Sequence, residues 1–229
     1  MSKNNKKAMT IEQWRNSVLN HANLKLIKES YTEAVGERLI ANIRTIMPIN
    51  KIIGYGSLLK KSDAERSFDK MIDHRIAYID EYRRIFNFGK TYKGSWLNVE
   101  HDAAAHGMPV ALITINADDM LAFYEREALY DNVLVTARVP NVDPDGDRTF
   151  SNINAVMVIV RDKLSINPSI EPMLSYANLC TQGMKEIGDQ NDLASYLNNT
   201  RLTDGSSLNT WYNNLNVLDY IKRHTHQTR

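Results

Sequence analysis

Ile52-Ile53-Gly54-Tyr55-Gly56-Ser57-Leu58 is the stretch on which the reading of this chain turns. Two β-branched residues, with Lys51 before them, read as the end of a strand. The two glycines and one hydroxyl that follow read as a tight turn. A turn of that composition can aim several backbone N–H groups at one spot, and such a spot holds a carboxylate. A glycine-rich strand-to-loop passage can equally be no more than a turn, so the phrase alone leaves both readings open.

Outward from it, the chain of 229 residues divides into three zones. Residues 1–48 carry helical signals. Ser30-Tyr31-Thr32-Glu33 matches a capping box, and Val35, Leu39, Ile40, Ile43 and Ile46 recur at helical spacing. Residues 49–162 change to strand-like runs: Lys51–Tyr55, Arg75–Ile79 continuing toward Tyr82–Phe88, Trp96–Val99, Pro109–Ile115, Asn132–Val139 and Asn154–Arg161. Asp143-Pro144-Asp145-Gly146-Asp147 reads as the turn between the last two. One helix, Asn116 to about Tyr130, interrupts them. Residues 163–229 return to helical patterning, opened by Pro168 and Pro172, with Asp192–Leu197 and Ser207–Ile221 as further helices. Many strands with one interior helix predict an α+β fold. It has a mixed, barrel-like sheet at 49–162, an N-terminal helical extension at 1–48 and a C-terminal one at 163–229 packed on the core.

In the interior helix, Asn116 is a suitable N-cap, and Asp118 and Asp119 suit the positive end of the dipole. Steps of three and four put Ala117, Met120, Leu121, Tyr124, Glu127 and Ala128 on one face. Asp118, Asp119, Ala122, Glu125 and Arg126 fall largely on the other. A carboxylate on the apolar stripe loses hydration and its pKa rises, which suits a general acid or base near neutrality. The competing reading places Glu127 at the stripe's edge, reaching solvent or pairing with an arginine.

Taken together, Tyr55-Gly56-Ser57-Leu58 and Arg126-Glu127-Ala128-Leu129-Tyr130, about seventy residues later, resemble the γ-glutamylcyclotransferase-like superfamily. Arg75-Ile76-Ala77-Tyr78-Ile79-Asp80-Glu81-Tyr82-Arg83-Arg84-Ile85-Phe86 resembles its glutathione-specific branch. The resemblance covers roughly residues 50–160 and departs from the pattern at Ala128 and Leu129, where relatives often carry glycine. It implies a cofactor-independent enzyme in which the α-amine of a γ-glutamyl group attacks its own side-chain carbonyl, releasing 5-oxoproline and an amine. Glu127 would be the general acid/base. Tyr55, Gly56, Ser57 and Leu58 would hold the substrate, and Tyr130 would line or orient the pocket. The alternative is a non-catalytic γ-glutamyl- or carboxylate-binding module, or a protein-interaction domain on the same fold. A related acyl-transfer enzyme is a third.

Composition agrees with a small-molecule partner. Hydrophobic residues make up 43% and charged residues 24%, and the formal net charge of +1 gives no basic field for nucleic acid. The single cysteine, Cys180, cannot form an internal disulfide and reads as a core thiol. Without a secretory pattern or a membrane-length apolar run, the expectation is a cytoplasmic protein with no membrane partner. Neither the acidic tract at Asp143–Asp147 nor the pair His101 and His106 has metal-site spacing, so no metal is expected. His224 and His226 sit in a terminal tail. Of Arg83-Arg84, one residue should point inward, where it could contact substrate. The sequence is silent on oligomeric state.

Overall fold

The computed structural model describes residues 50–89, 94–116, 119–120, 123, 127, 130–142, 148–160 and 171–215. The expected helices at 1–48, the turn at Asp143–Asp147, Pro168, His224 and His226 lie outside them.

Five strands close into a barrel in the order β1-β5-β2-β6-β7. They are β1 (Lys51–Gly54), β2 (Met71–Ile79), β5 (Met108–Ile115), β6 (Asp131–Val142) and β7 (Arg148–Ile159). β1 meets β7 in parallel at Ile52 and Val156, whereas its pairing with β5 and the β6–β7 hairpin are antiparallel. The sheet is therefore mixed, as the α+β reading expects. Ile52, Val110, Leu112, Ala77, Ala137 and Val156 are fully buried in the core. Barrel closure removes the free edges that a sheet of this size would otherwise present.

β3 (Tyr82–Phe88), β4 (Trp96–His101) and β8 (Arg201–Leu202) form a second sheet in the order β4-β3-β8. The sequence reading ran β2 on toward β3. The chain instead breaks at Asp80-Glu81, where Glu81 takes a left-handed φ of 64° and its amide donates to the Ala105 carbonyl. The Asp80 carboxylate secures the break, accepting from the Gly107 amide at 2.7 Å and from the Arg138 guanidinium at 3.1 and 3.2 Å.

A 3-10 turn (Ser57–Leu59) and a short helix, α1 (Lys61–Ser67), follow β1. Sequence periodicity missed both. α1 buries only Ala64, so it shows no apolar stripe. The C-terminal third carries α2 (Leu174–Ile187) and α3 (Gln190–Asn199), and residues 208–215 are helical. Asp189 and Asp192 form a capping box at the start of α3, and Tyr78 on β2 donates to the Asp192 carboxylate at 2.8 Å. This third also supplies β8, a strand that the helical reading did not foresee. It follows directly on α3, which ends at Asn199, and pairs in parallel with β3 at Ile85–Arg201 and Phe86–Leu202. Among the described residues no helix is long and apolar enough to cross a membrane.

Candidate active site

β1 delivers Tyr55 to the end of the barrel, and the glycines then let the chain fold tightly back. A Cβ on Gly54 would stand 2.7 Å from the Leu58 Cβ. One on Gly56 would stand 2.4 Å from the Tyr176 hydroxyl. Neither position accepts a larger residue without displacement. The 3-10 turn closes with Leu59 N–H on the Gly56 carbonyl and Lys60 N–H on the Ser57 carbonyl. The amides that open such a turn have no acceptor within it. That of Gly56 donates to no group among the described residues.

α2 lies against this turn at very short range. A Cβ on Gly183 would be 2.4 Å from the Lys60 nitrogen and 2.5 Å from the Leu59 carbonyl carbon. Ala177, Cys180, Gly183 and Met184 form the buried face of the helix, and the small ones let two backbones meet. This contact brings Tyr176 over Gly56.

A partly open cavity of about 80 Å³ results, lined by Ile53, Gly54, Tyr55, Gly56, Ser57, Leu58, Leu97, Glu127, Tyr130, Val158 and Tyr176. Tyr55, Gly56, Ser57, Leu58, Glu127 and Tyr130, the residues named from the sequence, thus meet around one space. Leu97, Val158 and Tyr176 were not foreseen as lining. For Tyr176, the signal was available in the small residues that follow it at helical spacing.

Glu127 is 8% exposed. Its amide bonds to the Phe123 carbonyl at 2.9 Å and its carbonyl accepts from the Tyr130 amide at 2.9 Å, so it ends the helical path. Asp119, Met120 and Phe123 are helical and buried. The Asn116 side chain accepts from the Asp119 amide at 3.0 Å, which is the expected N-cap. Asp119 itself corrects the sequence reading, which put it on the polar face. It is 6% exposed, and its two carboxylate oxygens accept from the Asp69 and Lys70 amides. Those amides come from the loop between α1 and β2, which covers this face of the helix.

The tyrosines Tyr55 and Tyr176 stay protonated. Burial pushes Tyr55 well above the ordinary phenol range, with Tyr130 and then Glu127 adding to the effect. Burial does the same to Tyr176, helped by Cys180 and Tyr55. Both are therefore proton donors near neutral pH. Phe88 lies edge-on to Tyr130 at 5.6 Å, and Phe86 to Tyr176 at 6.4 Å, so the second sheet braces both tyrosines from outside. Burial raises Cys180 to about 12, in keeping with a core thiol. His101 and His106 are exposed. Of the arginine pair, Arg84 is the inward one, but it does not line the cavity. It lies behind the turn, donating from Nε to the Tyr55 carbonyl at 3.1 Å.

Among solved structures, the chain is similar to one described as gamma-glutamyl cyclotransferase, with 16% identity, a TM-score of 0.47 and coverage of 62% of this chain and 82% of that one. It is similar to an uncharacterized Homo sapiens protein at 14% identity and a TM-score of 0.47, covering 63% of this chain and 86% of the other. It is also similar to YkqA from Bacillus subtilis at 17% identity and a TM-score of 0.48, covering 71% of this chain and 58% of YkqA. No protein-family model and no curated protein matches the chain.

Proposed function

We propose that this protein is a γ-glutamyl cyclotransferase. The observation that carries the proposal is that a buried carboxylate, Glu127, and the amide-bearing turn at Gly56 and Ser57 border the same small cavity. The turn amides grip the α-carboxylate of a γ-glutamyl group. Glu127 removes a proton from the α-ammonium. The freed amine attacks the side-chain carbonyl, forming the N–C bond of the five-membered lactam. The γ-amide C–N bond breaks as the proton held by Glu127 passes to the departing nitrogen. The second proton, shed by the attacking nitrogen as it becomes the lactam N–H, passes through Glu127 to the released amine, which leaves as an ammonium. Products are 5-oxoproline and a free amine, with no oxidant or reductant consumed.

The nucleophile belongs to the substrate, so folding it into an attacking shape supplies most of the effect. The cavity of about 80 Å³ is partly open, so a glutamyl unit held at the turn would direct its leaving group out of the open side. The test is lactam release from γ-glutamyl dipeptides, γ-glutamyl amines and glutathione by the purified chain. Release that persists in Glu127→Gln removes Glu127 from the reaction. A wild type inert on the whole panel replaces the cyclotransferase reading with a binding module.

A further inference from the structure

Arg84 is 1% exposed, while Arg83 beside it reaches the surface to Glu100 and Asp102. No carboxylate among the described residues pairs with Arg84. Its Nη2 is buried without a hydrogen-bond partner, and its guanidinium carbon lies 4.9 Å from the centre of the Tyr196 ring. A buried cation is costly unless its surroundings compensate it. A ring face offers partial compensation, and a charge-assisted bond to a carbonyl offers more. Burial lowers Arg84 only to about 10, so it remains a cation near neutral pH.

The carbonyl it holds belongs to the Tyr55–Gly56 peptide. That peptide is trans, so its C=O and the Gly56 N–H lie in one rigid plane and point in opposite directions within it. Fixing the oxygen from behind fixes the direction of the N–H in front. A cation on the oxygen also polarises the peptide and strengthens its N–H as a donor. Gly56 borders the cavity and Arg84 does not.

We infer that Arg84 is a positioning residue of the turn: it holds and polarises the Tyr55 carbonyl, and so aims the Gly56 amide at the carboxylate of the bound molecule. This rests on the reading of the cavity as a γ-glutamyl site. It also accounts for a buried cation without a carboxylate partner, since the bound carboxylate then supplies the missing negative charge across one peptide.

Two variants test it, Arg84→Met without the cation and Arg84→Lys with it. Two readouts apply: lactam release from γ-glutamylalanine, and the amide proton shift of Gly56 during titration with L-glutamate. Arg84→Met should lower kcat/KM about ten- to a hundredfold and abolish the Gly56 response, and Arg84→Lys should recover part of both. The inference is overturned if Gly56 responds to L-glutamate equally in wild type and Arg84→Met, or if wild-type Gly56 does not respond at all. It is also overturned if Arg84→Lys is no better than Arg84→Met. Should Arg84→Met not fold, Arg84→Lys decides: a retained Gly56 response supports the inference and a lost one ends it. A wild type that binds L-glutamate at Gly56 yet releases no lactam sinks the cyclotransferase reading while leaving Arg84 testable by the shift alone.

Discussion

Two bends at the ends of barrel strands are built on opposite principles. The bend at Gly54–Leu58 is dry: backbone packs against backbone, glycines admit a helix and a tyrosine ring, and the Arg84 cation is hidden behind it. The bend at Asp80-Glu81 is wet. It is fixed by a partly exposed carboxylate between an arginine and an amide, and His106 approaches the same carboxylate. Exposed charges contribute little because water competes for them. Close backbone contacts tolerate almost no change of volume. Changes at the dry bend should therefore be felt in both chemistry and stability, and changes at the wet one only weakly.

The strongest test of that contrast is Glu127→Gln, which preserves shape and removes the base. Lactam release should fall about 10²- to 10⁴-fold, the usual range for losing a general acid–base group. Circular dichroism should be unchanged. A loss under tenfold would mean that the dry bend holds substrate without Glu127 moving the proton.

Next comes Gly56→Ala. The added methyl meets the Tyr176 hydroxyl at 2.4 Å but the ring carbon at 3.7 Å, so the hydroxyl alone is the obstacle. Turnover should drop about ten- to a hundredfold, as expected for a misplacement of the order of 1 Å. Adding Tyr176→Phe should restore much of it, because the clash goes with the oxygen. A double-mutant cycle measures the coupling. No recovery would mean that Gly56 is needed for its backbone conformation rather than for the room it leaves.

The dry bend was also the more legible of the two in the sequence. Glycine, tyrosine and serine directly after an apolar pair mark a turn with few alternatives, and helical spacing puts Glu127 on the apolar stripe while leaving open a solvent-facing place at its edge. Asp119 was misjudged because its partners, the Asp69 and Lys70 amides, are 50 and 49 residues away, and periodicity within one helix sees no such neighbour. The break between β2 and β3 escaped for a similar reason. Asp80-Glu81 interrupts a run of apolar residues without a glycine or a proline, and it takes Gly107 and Arg138 to hold it. α1 was hidden by its polar composition, and β8 by being only two residues long. Local chemistry announces itself locally, while a bend secured by distant partners does not.

Gly183→Ala moves from chemistry to stability. The new Cβ would meet the Lys60 nitrogen at 2.4 Å and the Leu59 carbonyl carbon at 2.5 Å, and both of those atoms are backbone, so no side chain can swing aside. α2 must lift from the turn. A cost of about 1–3 kcal/mol is expected, read as a lower midpoint in urea with little change in slope. Turnover should weaken in parallel, because the same shift carries Tyr176 away from the cavity. Loss of stability with full activity would separate the helix contact from the site.

The smallest effect belongs to the wet bend. In Asp80, burial pulls the pKa up, but the Gly107 amide and the Arg138 guanidinium outweigh it and leave the carboxyl below its ordinary value. A depressed folded-state pKa means that this group's stabilisation is present above the unfolded pKa of about 4. It is lost as pH falls from there through the lower folded value. Its side chain is 37% exposed, so the contribution is screened to under about 1 kcal/mol. Asp80→Asn should thus cost little at pH 7, and the cost should shrink further below pH 4 and in high salt. It should leave lactam release unchanged, since nothing at Asp80 borders the cavity. A stability loss that is large and independent of pH would show that the wet bend is held by the shape of its hydrogen bonds and not by charge, and the contrast between the two bends would then reduce to their distance from the site.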